Sequence, residues 1–498
     1  MNVSPITRLD YPELDVIRVE DTYYMVSTTM HFMPGCEILQ SFDLVHWEHA
    51  TYVYETLDHT DAQQLKSGQN IYGQGMWAAS LRYHEGRFYI CFVANDTRKT
   101  YLYTSEKIDG PWKKQLIEGF YHDGSLLFDE DGRNYIVYGN DEIWITELNE
   151  DLTAPKKDGL HRLLVSDHKN PELGYEGSHI QKINGYYYIF LVHSLRDRWM
   201  RTEACFYSDS LEGEFTGGDV LCDDRGYCGQ GVAQGGIVDT PDGKWYAMLF
   251  QDSGAVGRIP ILVPVTWKDH FPFFGQNGHV PEEIEVHSTR PGYIYQPLVG
   301  SDDFCNGLLP RWQFNHDPDP RYYHLDALQG TYTITTREVC TELTQAVNTL
   351  TQRMSYPSCA AEVTVDASAL KEGDVAGLCA LQSCYAAVGI TKHHGKYEVL
   401  MLDKKEDGIL DMTEGTVVES HQMDFRLEAD FCNMKDEARC YYRVNKGDWL
   451  PIGTVHKLYF KLDHFTGCRF GLFCYAAEET GGSACFRDFK YYDVDEIS

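Results

Sequence analysis

The sequence predicts an all-β chain of two domains, a five-bladed β-propeller followed by a β-sandwich, and three observations carry that prediction. A short turn followed by an aromatic-rich strand recurs five times in the first half of the chain. No long amphipathic helical pattern stands out anywhere. Beyond about Asp302 the aromatic repeat gives way to many short segments of alternating apolar and polar residues.

The repeat reads "EDTYYMVS" at Tyr24, "EGRFYICF" at Tyr89, "DGRNYIVY" at Tyr135, "NGYYYIFL" at Tyr188 and "DGKWYAML" at Tyr246, at intervals of 65, 46, 53 and 58 residues. Each copy is a Gly or Asp turn feeding β-branched and aromatic residues, which is hairpin and strand chemistry. A second signal follows several copies, a charged turn and then a ring, as at Trp47, Trp112 and Phe215. One sheet of about four strands per repeat, arranged radially, leaves only short and protected edges. Residues 1–289 are therefore expected to form the propeller, 290–300 a Pro- and Gly-containing linker, and 301–498 an antiparallel sandwich built from segments such as "AAEVTVDAS" and "YAAVGITK".

Composition limits the function. The 498 residues, 43% hydrophobic, are enough for large cores, and 43 basic against 75 acidic side chains (formal net charge −32) argue against nucleic acid and for an uncharged substrate. No run approaches the roughly 18 apolar residues of a membrane span, and the N-terminus has no leader-like pattern. The 15 scattered cysteines lack disulfide-framework or zinc-site spacing, so free, mostly buried thiols and a reducing cytoplasm are expected.

In a propeller the innermost strands surround one channel, so acids at equivalent places in different repeats meet in space. Glu13, Asp123 and Glu176 precede the aromatic tyrosine of their repeats by 11, 12 and 12 residues, which puts all three at one end of the channel. Crowded, buried carboxylates separate in pKa, and cleavage of a glycosidic bond needs such a pair, one acid to protonate the leaving oxygen and one base to activate water. Candidates for holding a sugar are His31 and Phe32 in "TTMHFMPG", Trp77 in "GQGMWAAS", Gln234 in "VAQGG" and Arg258 in "GAVGRIP".

These stretches resemble glycoside hydrolase family 43, whose members carry motifs like "DPDVIRVGDTYYM", "DPSLFFDDDG" and "EGPHIYKINGYYY"; this chain has "ELDVIRVEDTYYM", "DGSLLFDEDG" and "EGSHIQKINGYYY" in the same order. The C-terminal half, through "WQFNHDPD", "AVNTLTQR" and "DVAGLCALQ", is similar to the concanavalin A-like sandwich of the family's β-xylosidase and α-L-arabinofuranosidase branch. The resemblance implies an inverting, exo-acting enzyme that releases α-L-arabinofuranose or β-D-xylose from xylan fragments. It implies Glu176 as general acid, Asp123 as the acid that tunes it, Arg258, Trp77 and Phe32 around the terminal sugar, and a sandwich that closes the pocket with an aromatic. No cofactor is required by such chemistry; a structural calcium ion occurs in relatives, and the reading leaves room for a homo-oligomer.

At the base, Glu13 followed by Leu14 stands where the family pattern has Asp, usually followed by Pro. Three readings stay open: Glu13 is the base of a site adjusted to it, the site is impaired, or Asp10 or Asp15 takes the role. A rival of another class is a sugar-binding propeller without turnover.

Overall fold

The computed structural model describes residues 2–3 and 6–493; the outermost ends of the two expected domains, residues 1, 4, 5 and 494–498, lie outside the described residues. Five four-stranded antiparallel sheets form the propeller, each ordered along the chain. Blade I comprises Asp15–Val19, Thr22–Ser27, Gly35–Ser41 and Glu48–Tyr54, and blade II Met76–His84, Arg87–Ala94, Lys99–Ser105 and Lys113–Ile117. Blade III comprises Ser125–Phe128, Asn134–Asn140, Glu142–Leu148 and His161–Ser166. Glu176–Ile183, Tyr186–Ser194, Arg201–Ser208 and Thr216–Leu221 make blade IV, and Val232–Asp239, Trp245–Asp252, Arg258–Lys268 and Phe271–Phe274 make blade V. All five repeat tyrosines fall on second strands, and Trp47, Trp112 and Phe215 each sit one residue before an outermost strand. The first strands contact one another around the ring, and blade V's packs against blade I's.

The aromatic repeat exists because a propeller has no single core. Each inter-blade gap is filled separately: Ile38 and Val53 against Phe88 and Ile90 between blades I and II, Cys91 and Leu102 against Leu126 and Ile136 between II and III, and Val137 against Ile189 and Leu191 between III and IV. Phe190 meets Leu249 between IV and V, and Met25 meets Met248 and Phe250 between V and I. Strands apolar on both faces serve two gaps at once, which is why the repeat runs are continuously hydrophobic. Asn2–Val3 pairs with Glu283–Ile284, tying the chain's start to the end of blade V. The segment 290–300 is bound to blade I: Arg290 pairs with Asp21 at 2.7 Å, and the Tyr295 hydroxyl accepts the Phe42 N–H at 2.8 Å.

The second domain is a sandwich of a nine-stranded and a seven-stranded sheet enclosing Leu350, Leu378, Val388, Phe470 and Leu472 against Val363, Phe425, Leu427 and Phe486. All 15 cysteines are free, most of them buried. The edge of the larger sheet is completed by the propeller, where Phe32–Met33 pairs with Gln313–Asn315. That pairing changes the reading of "TTMHFMPG". Phe32 lies under the Arg469 guanidinium at 3.5 Å. His31 is enclosed by His316, Tyr72 and His464 at ring separations of 4.7, 4.9 and 5.4 Å. Burial drives all three imidazoles toward the neutral form, His316 down to about 3 and His464 to about 4. His31 and Phe32 are parts of the domain junction, which corrects their reading as candidates for holding a sugar.

Candidate active site

Each blade carries a left-handed residue at or just before the start of its first strand: Glu13 (φ 54°), Gly75 (83°), Asp123 (48°), Gly177 (66°) and Gln234 (64°). The ladders of blades II, IV and V also slip register there, at Met76/Ala79, Glu176/His179 and Ala233/Gly236. These bulges re-aim side chains that strict alternation would send into the inter-blade gaps. At Gly177 a Cβ would lie 2.7 Å from Gln234 Cγ, so both the conformation and the space require glycine. Non-glycine residues pay for this conformation with local strain, and its concentration at one mouth of the channel marks a functional region.

A pocket of about 180 Å³ opens at that mouth and is lined by Glu13, Trp77, Asp123, Glu176 and Arg258, joined by His122, Asn140, Leu173, Trp199, Arg201, Leu462 and Phe465. The equal offsets in the sequence thus bring the three carboxylates together. Gln234 is buried beside the pocket instead of lining it; its N–H donates to Glu203 at 2.7 Å and its side chain packs on Gly177. The sandwich supplies the roof, with Phe465 5.4 Å from the Trp77 ring and 4.1 Å from the Arg258 guanidinium.

Glu13 is held at both oxygens, by the Thr28 hydroxyl and by Arg258 Nη1 at 3.1 Å. Glu176 Oε2 accepts the Asn140 amide at 2.8 Å, and His122 Nε2 stands 3.6 Å from the same oxygen. Among the described residues no hydrogen bond reaches Glu176 Oε1. Asp123 Oδ2 accepts the Gly177 N–H at 3.0 Å and faces His122 at 3.5 Å, so Asp123 fixes the backbone that carries Glu176. Asp252 bridges the two arginines, Oδ1 to Arg258 Nε at 3.1 Å and Oδ2 to Arg201 Nε at 3.0 Å.

The other two acids of the first segment are occupied elsewhere. Asp10 accepts the N–H groups of Arg258 (2.7 Å) and Gly467 (2.8 Å), a link between propeller and sandwich. Asp15 accepts the Leu81 N–H and Arg82, both at 2.7 Å, and faces His179 at 3.1 Å. Arg82 reaches on to Ser125 and to the Leu126 and Ile180 carbonyls, so this cluster plugs the channel below the pocket.

Burial pushes Glu13 up to about 7, opposed by Arg258 and assisted by Asp123 and Glu176. Asp123 is also raised, by burial first. Glu176 feels the same burial, but the charges of His122, Arg201 and Arg258 hold it below its ordinary value. Burial works against the His122 cation, yet Asp123 and Glu176 raise it to about 9. Glu13, Asp123, Glu176 and His122 thus perturb one another and titrate as one set.

His122, Asp123 and Glu176 present ligand atoms within 4.8 Å of one another. One histidine and two carboxylates supply few of the six to eight oxygens that calcium takes. In the channel the Arg82 guanidinium already neutralises Asp15. Neither place fits the structural calcium expected from the resemblance.

A five-bladed propeller with acids, arginines and aromatics at one mouth is an arrangement suited to holding and cleaving a glycoside. Residues 3–272 match the model of glycosyl hydrolases family 43, and residues 301–492 match the β-xylosidase C-terminal concanavalin A-like domain. The chain belongs to family 43. It is 26% identical over 99% of its length to a β-xylosidase of Formosa agariphila, covering 89% of that protein. It is 24% identical over 82% of its length to the non-reducing end α-L-arabinofuranosidase BoGH43B of Bacteroides ovatus, covering 79% of it. Among solved structures, a bifunctional GH43-CE protein of Bacteroides eggerthii superposes with a TM-score of 0.91 at 41% identity over the whole chain, which spans 64% of that larger protein.

Proposed function

We propose that the chain is an exo-acting, inverting hydrolase that releases a terminal α-L-arabinofuranose or β-D-xylose from xylan-derived oligosaccharides. The observation that carries the reading is the blind pocket. Phe465 and Leu462 stand over it, the Asp15–Arg82 pair crosses the channel beneath it without lining it, and its volume of about 180 Å³ suits one pentose ring. The names borne by the Formosa and Bacteroides relatives support both sugars.

The residues take the following parts. Asn140 fixes Glu176 Oε2, leaving Oε1 to carry the proton delivered to the leaving oxygen as the glycosidic C–O bond breaks. Glu13, steadied by Thr28 and Arg258, keeps lone pairs free to take a proton from the water whose oxygen bonds to the anomeric carbon from the opposite face. Asp123 holds Glu176 through Gly177. The placement of Glu13 in the pocket and the engagement of Asp10 and Asp15 outside it favour Glu13 as the base.

Xylo-oligosaccharides and aryl glycosides of both pentoses test the reading. Release of one pentose at a time, with the first-formed anomer inverted by NMR, is expected. Internal cleavage, a retained anomer, or no turnover of either pentoside would contradict it.

A further inference from the structure

We propose that Arg201 is a second substrate-holding arginine, whose free Nη1 donates a hydrogen bond to a hydroxyl of the terminal sugar and so helps determine which sugar is accepted. The proposal rests on the reading of this pocket as the sugar site.

The repeat supplies the first argument. The third strands of blades IV and V begin at Arg201 and Arg258, and in each blade the arginine is paired with the last residue of the second strand, Ser194 with Arg201 and Asp252 with Arg258. The two guanidinium groups therefore occupy equivalent positions in adjacent blades, at the same level of the channel mouth. Blade V provides an acid at this place and blade IV a serine, so Asp252 serves both arginines, at 3.0 and 3.1 Å.

The second argument is a donor left over. A guanidinium offers five N–H groups and accepts none. Arg258 directs Nη1 to Glu13 at 3.1 Å. Arg201 has no equivalent outlet: its side chain is 3% exposed, and Nη1 is buried without a hydrogen-bond partner among the described residues. Trp199, itself on the pocket wall, and Phe250 hold the group from 5.3 and 5.4 Å. A buried charged donor is costly to leave unpaired, and a donor-only group facing a sugar-sized pocket selects an oxygen acceptor. A pentose presents such oxygens around its ring.

The test is a panel of monodeoxy aryl pentosides assayed with the wild type and Arg201→Met. In the wild type, removing the contacted hydroxyl is expected to lower kcat/KM roughly ten- to hundredfold, the range for a hydrogen bond to a charged group. Arg201→Met is expected to suffer the same loss on the parent sugar and no further loss on that one deoxy sugar. Equal penalties across the panel in both enzymes would overturn the proposal. Should Arg201→Met not fold, Arg201→Lys, which retains a charge beside Asp252, is carried through the same panel, with the selective loss reduced if the contact is real and unchanged if it is not. Should the wild type cleave neither pentoside, the pentose reading fails. Calorimetric binding of monosaccharides and their deoxy forms to wild type and variant then decides the contact: the affinity lost with one hydroxyl must vanish in the variant, and equal losses in both would overturn it.

Discussion

The two ends of the propeller channel differ in how completely their charges are answered. At the far end a larger cavity, about 420 Å³, is lined by Arg18, Arg82, Lys182 and Asp239, and its charges are paired: Arg18 with Asp239 at 2.5 Å, Lys182 with Asp129 at 2.6 Å, Arg82 with Asp15 at 2.7 Å. At the near end the smaller pocket holds acids whose partners are shared or missing, with Asp123 Oδ1, His122 Nε2 and Arg201 Nη1 buried and without hydrogen bonds. Glu13 and Asp15 condense the contrast into two residues. Both are buried, but Arg82, His179 and the Leu81 N–H outweigh burial at Asp15 and lower it, whereas burial wins at Glu13. Size does not mark the reactive end; unsatisfied, mutually perturbed groups do.

Exchanging the properties of the two ends tests the comparison. The largest effect is expected at Glu176→Gln, which keeps the Asn140 contact and loses the proton. Cleavage of glycosides with poor leaving groups should fall by about two to four powers of ten, while those with very good leaving groups are largely spared. Equal loss on both would remove the acid role. Asp15→Ala should act on folding instead, because it strips Arg82 and His179 of their buried carboxylate. A loss of about 3–5 kcal/mol in denaturant unfolding is expected, as for a broken buried ion pair. A fully stable variant without activity would move Asp15 into the chemistry. The smallest effect is a pH shift. The His122 charge holds Glu176 down, and Glu176 is the lower of the two acid–base groups, so it sets the acidic limb of kcat/KM. Removing that charge in His122→Asn lets the Glu176 pKa rise, and the acidic limb should move to higher pH. An unmoved limb, or one moved lower, would deny the coupling.

Much of this site was legible because repeats turn sequence offsets into spatial coincidence. Glu13, Asp123 and Glu176 are found by counting back from three tyrosines, and Trp77 and Arg258 by the motifs around them. The same logic, extended along each hairpin, reaches Asn140 and Asp252, the last residues of second strands that return to the pocket end, and Arg201, the first residue of a third strand. Phe465 was visible only as the expectation that the sandwich would supply an aromatic, since nothing local in "KLDHFTG" shows that this loop meets Trp77. His31 and Phe32 were misplaced for a related reason. A loop histidine and phenylalanine after a strand look alike whether they face a sugar or a second domain, and their partners His316, Asn315 and Arg469 lie far along the chain. Strict alternation along a strand would put Asp15 on the same face as Glu13, and the left-handed turn at Glu13 breaks that alternation.

In the proposed mechanism Glu13, with a glutamate's extra methylene, is the working base. That role is tested most directly by Glu13→Ala, assayed for turnover and for sugar binding on the same preparation. Turnover should fall by about two to four powers of ten while binding survives. Undiminished turnover in Glu13→Ala, with activity abolished instead in a folded Asp10→Asn or Asp15→Asn, would place the base on a neighbouring acid and contradict the account.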